Sequence, residues 1–122
     1  YRFGKYPLPS EERVQKYLHP PCLDRLRQAS LKIDVLLMHD APFNKGLRNK
    51  FPTGSKRLTE LIEAIQPRFV FYGHYDDPPQ PFLIGQTFCA GMNHAKARRI
   101  PGRDGAMGIL RTDRWEFGFV EP

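Results

Sequence analysis

The sequence predicts an α/β fold, and three observations carry the prediction. Residues 33–38 (IDVLLM) and 69–72 (FVFY) are short, nearly continuous apolar runs of the kind that form buried strands. Between them, Leu58, Leu61, Ile62 and Ile65 recur at i, i+3, i+4 and i+7, the stripe of an amphipathic helix. Strand, long loop, helix and strand over 33–72 make a βαβ unit. Parallel strands joined this way often lie side by side, about 4.8 Å apart.

Taken in order, residues 1–9 (YRFGKYPLP) read as an extended lead-in with two prolines and a glycine. Ser10, followed by Glu11 and Glu12, supplies an N-cap and an acidic first turn, so a helix follows with Val14, Tyr17 and Leu18 on one face. Pro20 and Pro21 interrupt it, and Leu23 and Leu26 predict a second short helix to about Ala29. After the 33–38 strand comes a loop over 40–54 (DAPFNKGLRNKFPTG). Loops of that length are uncommon in compact domains and are often functional. Ser55 caps the central helix and Pro67 stops it. Beyond the 69–72 strand and a Pro-rich turn (DDPPQP), residues 82–91 (FLIGQTFCAG) read as one strand with interrupting glycines. Residues 106–112 and 115–120 predict a hairpin around Asp113 and Arg114.

A length of 122 residues bounds the chain to one domain at most, and 40% hydrophobic content places it among folded globular chains. No apolar run approaches the roughly 18 residues of a membrane span, and no basic-then-apolar leader opens the chain. The first residue is Tyr1 rather than Met, which leads us to expect a processed or truncated chain. A formal charge of +6 favours anionic partners only weakly; a solvated basic surface is the better account of it. Cys22 and Cys89 are far apart and fit no metal or redox spacing. They are expected to be reduced and partly buried, as in a cytoplasmic protein.

The chemistry-bearing residues sit where each strand of the βαβ unit ends. Met38 is followed by His39-Asp40, and Tyr72 by Gly73-His74-Tyr75-Asp76. Ligands of such sheets bind beyond the carboxyl ends of the strands, so both histidines reach toward one point on the functional edge. A single histidine after a strand would be an ordinary loop residue. Two at matched strand ends, with Asp40 and Asp76 close by, point to a divalent metal, for which imidazole is the commonest protein ligand. Gly73 is expected to let the chain turn sharply and bring His74 inward.

The segments DVLLMHDAP, GSKRLTELIEAIQPRFVFYGH and IGQTFCAGMN resemble, in order and spacing, the C-terminal half of calcineurin-like metallophosphoesterases. The likeness covers roughly residues 10–120. Members of that family carry D-x-H, G-D-x-x-D, G-N-H-[DE], a lone His after a strand, and G-H-x-H. His39 matches the lone His, and Gly73-His74-Tyr75-Asp76 matches the last block except that Asp76 replaces its final histidine. The resemblance implies a metallophosphoesterase-type mixed β-sandwich flanked by helices, with residues 1–122 forming about half of it, the C-terminal part of a single domain. It implies a hydrolase of phosphomonoesters or phosphodiesters, with water activated by two divalent ions (Mn, Fe, Zn or Mg) about 3.5–4 Å apart. His39 and His74 would ligate one ion. Asp76 would stand where a histidine ligates the other, and an oxygen donor there favours manganese, iron or magnesium over copper.

The earlier blocks, with the bridging aspartate and the general-acid histidine, find no substitute in residues 1–30. The expectation is that they belong to an N-terminal half of the same domain, the chain's nearest partner besides a phosphate-ester substrate. The piece alone would then be inactive, and apolar sheet surface left uncovered would make it self-associate. The family also includes members with decayed ligand sets that act as non-catalytic scaffolds for protein interaction, a rival reading that Asp76 favours.

Other residues carry weaker signals. His94 follows the strand of 82–91 and reads as a solvated loop histidine or, alternatively, a residue of the substrate pocket, whereas His19, before Pro-Pro, reads as structural. Lys45, Arg48 and Lys50 punctuate the long loop; a solvated loop accounts for them best, and a basic lip for phosphate is the functional alternative. Lys56 and Arg57 sit in the first turn of a helix, where the macrodipole disfavours cations, unless the turn binds an anion. The basic run Lys96, Arg98, Arg99 and Arg103 has no interleaved aromatic platform, so base stacking by nucleic acid is not indicated.

Overall fold

The computed structural model describes residues 20–28, 32–43, 54–75, 80–93 and 105–120. They fall in two compact units, 1–31 and 32–122. In the first unit, helix α1 spans Pro20–Gln28. Pro20 and Pro21 form its first turn; the helix expected ahead of them, with Val14, Tyr17 and Leu18 on one face, lies outside the described residues. At the first turn a proline loses no hydrogen bond, and its fixed φ suits the helix. Cys22 on this helix is exposed, contrary to expectation, whereas Cys89 in the second unit is buried. Burial pushes the Cys89 thiol up to about 11.

The second unit is mixed α/β. Its strands and helix are β1 (Val35–Met38), α2 (Lys56–Ile65), β2 (Phe69–Tyr72), β3 (Phe82–Ile84), β4 (Thr87–Gly91), β5 (Gly108–Arg111) and β6 (Glu116–Phe119). A four-stranded sheet runs β1-β2-β4-β3, and β5-β6 form a separate two-stranded ribbon. β1 pairs β2 in parallel, Val35 with Phe69 through Met38 with Tyr72, so the expected βαβ unit has adjacent strands. β4 continues the parallel set on the other side of β2, and β3 pairs β4 antiparallel.

That antiparallel pair corrects the reading of 82–91 as one strand. Gly85 and Gln86 form a two-residue turn between β3 and β4, with Gly85 at φ +60°. A left-handed first turn residue is what a tight hairpin needs, and glycine adopts it without steric cost. The Gln66 side chain clamps the turn: Gln86 N–H donates to its Oε1 at 3.0 Å, and its Nε2 donates to the Ile84 carbonyl at 3.4 Å. Gln66 itself ends α2 in the left-handed region, its N–H bonded to the Ile62 carbonyl at 2.8 Å.

At the other end of α2, Ser55 caps the helix and accepts from the Leu58 N–H. Leu58, Leu61 and Ile62 are buried, and Ile65 is half-buried at the stripe's edge. Strand alternation sorts the sheet into two faces. Val70, Tyr72 and Cys89 join Ile62 and Ala41 in the core on the helix side, with Leu36, Met38, Phe82 and Ile84 packed against it. Phe69, Phe71 and Phe88 point the other way, where the ribbon meets them. The Phe117 ring lies 4.8 Å from Phe71 and 6.0 Å from Phe88, and Trp115 stacks 6.3 Å from Phe69. Arg68 sits 4.9 Å over Trp115 and pairs with Asp34 at 3.1 Å. Among the described residues no helix is long and apolar enough to cross a membrane.

Candidate functional site

The parallel register of β1 and β2 brings Met38 opposite Tyr72, so the chain leaves both strands at the same level of the same sheet edge. His39 Nε2 and His74 Nδ1 come within 3.0 Å of each other, although they are 35 positions apart in sequence. The ring centroids are 4.9 Å apart and the planes cross at 76°, so nitrogen faces nitrogen and the rings do not stack. Both side chains are exposed. One nitrogen donates and the other accepts, the direction depending on the tautomer.

The turn that delivers His74 differs from expectation. Gly73 does not take up the left-handed region; His74 itself does, at φ +72°. A Cβ on Gly73 would meet nothing closer than the His39 carbonyl oxygen at 3.9 Å, an ordinary contact. Histidine is among the non-glycine residues that visit this region more readily, at a cost the surrounding bonds must offset. The Gly73 N–H donates to the His39 carbonyl at 3.2 Å, and the Tyr75 N–H to the Gly73 carbonyl at 2.9 Å.

Asp40 turns its carboxylate inward. Its Oδ1 accepts from the Ala41 N–H at 2.8 Å and from the Tyr75 hydroxyl at 2.9 Å. Burial, and then the bond to the Asp40 carboxylate, hold the Tyr75 phenol above its ordinary value. Sequence reasoning noted Asp40 only as a nearby carboxylate and did not single out Tyr75. Nothing local signals their pairing, because it spans 35 positions.

The long loop that begins after His39 returns to its starting point. Ser55 N–H donates to the Ala41 carbonyl at 2.9 Å, and Phe43 N–H to the Ser55 carbonyl at 3.1 Å. Thr59 Oγ1 accepts a further bond from the Phe43 N–H at 2.8 Å. Lys56 is exposed in the first turn of α2, with its ammonium 5.3 Å over the Phe43 ring, which gives that cation a partner at the helix N-terminus. Asp76, Lys45, Arg48 and His94 lie outside the described residues. Among the described residues, no group of three or more His, Cys, Asp or Glu side chains is placed to hold a metal ion.

The fit of a metal to the histidine pair can be tested on the separation itself. Two nitrogens each 2.0–2.1 Å from one ion are about 2.9 Å apart at a right angle and about 3.3 Å apart at a tetrahedral angle. The 3.0 Å between His39 and His74 lies within that range. The same separation is that of a hydrogen bond, and the pair would supply two of the about three protein ligands that catalytic sites normally use. Compared with known protein families, with curated proteins and with solved structures, the chain matches none of them.

Proposed function

We propose that this chain is the histidine-bearing part of a metal-dependent hydrolase of phosphate esters, in which His39 and His74 hold one divalent ion. The observation that carries the reading is the 3.0 Å approach of two exposed imidazole nitrogens at the carboxyl ends of adjacent parallel strands. In such sheets that edge is where ligands bind. Asp76, two residues after His74, is the proposed ligand of a second ion, and Lys45, Arg48, Lys56 and His94 are the proposed contacts to the substrate phosphate. When bound, two divalent ions supply Lewis acidity toward a phosphoryl oxygen and a water that ionises near neutral pH. The chain's own residues bind the ions, and its formal net charge of +6 favours an anionic substrate. On this reading the β1-β2-β4-β3 sheet and the ribbon packed on its aromatic face belong to a two-sheet sandwich completed by further chain.

A non-catalytic scaffold of the same fold is the second reading. It is favoured by the absence of a third ligand beside the pair among the described residues and by a carboxylate at position 76. Calorimetric titration of the chain with Zn²⁺ and Mn²⁺ separates the two. One equivalent is expected to bind, and His39→Ala and His74→Ala are each expected to abolish binding. Manganese-dependent hydrolysis of nitrophenyl phosphate by the complete protein, lost in His74→Ala, would extend the result to catalysis. An unaltered chain that takes up neither ion, together with a complete protein that shows no metal-dependent turnover, would leave the scaffold as the better account.

A further inference from the structure

Tyr75 touches both sides of the histidine pair at once. Its hydroxyl donates to Asp40, the residue that follows His39, at 2.9 Å. Its ring stands edge-on to the His74 imidazole, centroids 4.9 Å apart and planes at 86°. Each contact has firm backing. Asp40 Oδ1 is held by the N–H of Ala41, a buried core residue, and Tyr75 packs against the same core cluster. The histidines themselves are exposed, and an exposed imidazole left to itself samples several rotamers. What joins the two segments is the Gly73–His39 backbone bond at their base and the Tyr75–Asp40 bond beyond it.

We propose that Tyr75 and Asp40 are positioning residues, a phenol–carboxylate bridge that keeps the His39 and His74 imidazoles together before any ion arrives. The hydroxyl ties the His39 segment to the His74 segment, and the phenol ring limits rotation of the His74 imidazole from one side. Ligands already gathered lose less freedom on binding, so the bridge raises the affinity for a divalent cation. Partners of metal-binding histidines commonly change affinity by about 10–100-fold. The consequence for affinity rests on the metal reading given above; the gathering of the imidazoles does not.

The variants separate the two parts of the bridge. Tyr75→Phe removes the hydroxyl and keeps the ring. Asp40→Ala removes the acceptor, and Asp40→Asn keeps an oxygen able to accept both bonds. The readouts are the side-chain ¹⁵N resonances of the imidazoles in the metal-free chain, Zn²⁺ affinity by calorimetry, and a thermal melt as control. Tyr75→Phe and Asp40→Ala are expected to lose the signature of a hydrogen-bonded imidazole pair and to bind Zn²⁺ at least about tenfold more weakly. Asp40→Asn is expected to keep both. If the unaltered chain shows the paired signature but binds no Zn²⁺, and Tyr75→Phe loses that signature, the bridge stands and the metal reading falls. Unchanged imidazole resonances in Tyr75→Phe would overturn the bridge, as would an unaltered chain without the paired signature or, where the unaltered chain binds Zn²⁺, an unchanged affinity in Tyr75→Phe. Should Tyr75→Phe fail to fold, the contrast between Asp40→Ala and Asp40→Asn decides the matter by the same readouts.

Discussion

His74 combines an unusual backbone with an unusual neighbour. At φ +72° it occupies a region that costs a residue bearing a Cβ about 1–2 kcal/mol, and its imidazole is the one that meets His39. Strain of this kind persists where the surroundings over-determine it, and it gathers at functional sites. His74→Gly and His74→Ala both delete the imidazole, but only glycine relieves the backbone. The glycine variant is expected to be more stable than the alanine variant by about 0.5–1 kcal/mol in urea unfolding, after allowance for the entropy glycine loses on folding. Equal stabilities would mean that the left-handed turn carries no strain. Gly73, which the sequence marks as the flexible residue of this turn, has room for a Cβ and no left-handed φ. The glycine of a Gly-His pair is therefore a poor guide to which of the two residues bears the turn.

Among the elements, those with strong local signals formed where the sequence places them. The stripe of Leu58, Leu61 and Ile62 is buried, Ser55 caps its helix, and the βαβ strands are parallel neighbours. The misreading of 82–91 has a local cause, since a Gly-X pair between two apolar runs is itself a hairpin signal. Two glycines on loops test how the elements are joined. Gly85 sits at φ +60°, and a Cβ there would meet Gln66 Oε1 at 2.6 Å. Gly54 sits at φ +94°, and a Cβ there would run into the Pro42 and Ala41 carbonyls. A side-chain amide can swing aside, at the loss of its bond to the Gln86 N–H, whereas a carbonyl belonging to the bridge between Pro42 and Ser55 cannot. Gly85→Ala is expected to cost about 1–2 kcal/mol. Gly54→Ala is expected to cost more, because displaced backbone adds to the strain. Thermal melts of the two variants would show the order, and a larger loss at Gly85 would contradict it.

At the scale of the whole molecule, several large apolar side chains among the described residues are exposed. β1 and β3 are the outer strands of the four-stranded sheet, and on its aromatic face Leu37 of β1 is 74% exposed and Leu83 of β3 is 66% exposed. The ribbon covers Phe69, Phe71 and Phe88 between them, while its own Ile109 remains 63% exposed. Edge strands with exposed leucines favour pairing between copies. Sedimentation velocity on the isolated chain is expected to show concentration-dependent association, reduced in a Leu37→Lys, Leu83→Lys double variant that keeps its melting temperature. A monodisperse monomer at all concentrations would show that this surface is tolerated in water.

The sequence by itself determined the α/β class, the apolar stripe and cap of the central helix, the βαβ order, and the placing of a histidine directly after each of its strands. These are local properties, set by side-chain periodicity and by the few residues that can begin or end an element. Tertiary structure alone decided that β4 lies beside β2 and is followed outward by β3, that the ribbon covers one sheet face, and that His39 and His74 end 3.0 Å apart. It also decided which groups hold that pair, since the hydroxyl of Tyr75 reaches Asp40 only after two strands align Met38 with Tyr72. A hydrogen bond between residues 35 positions apart leaves no trace in the spacing of either segment. It depends on register, and register is settled by packing the apolar faces of the strands against the helix.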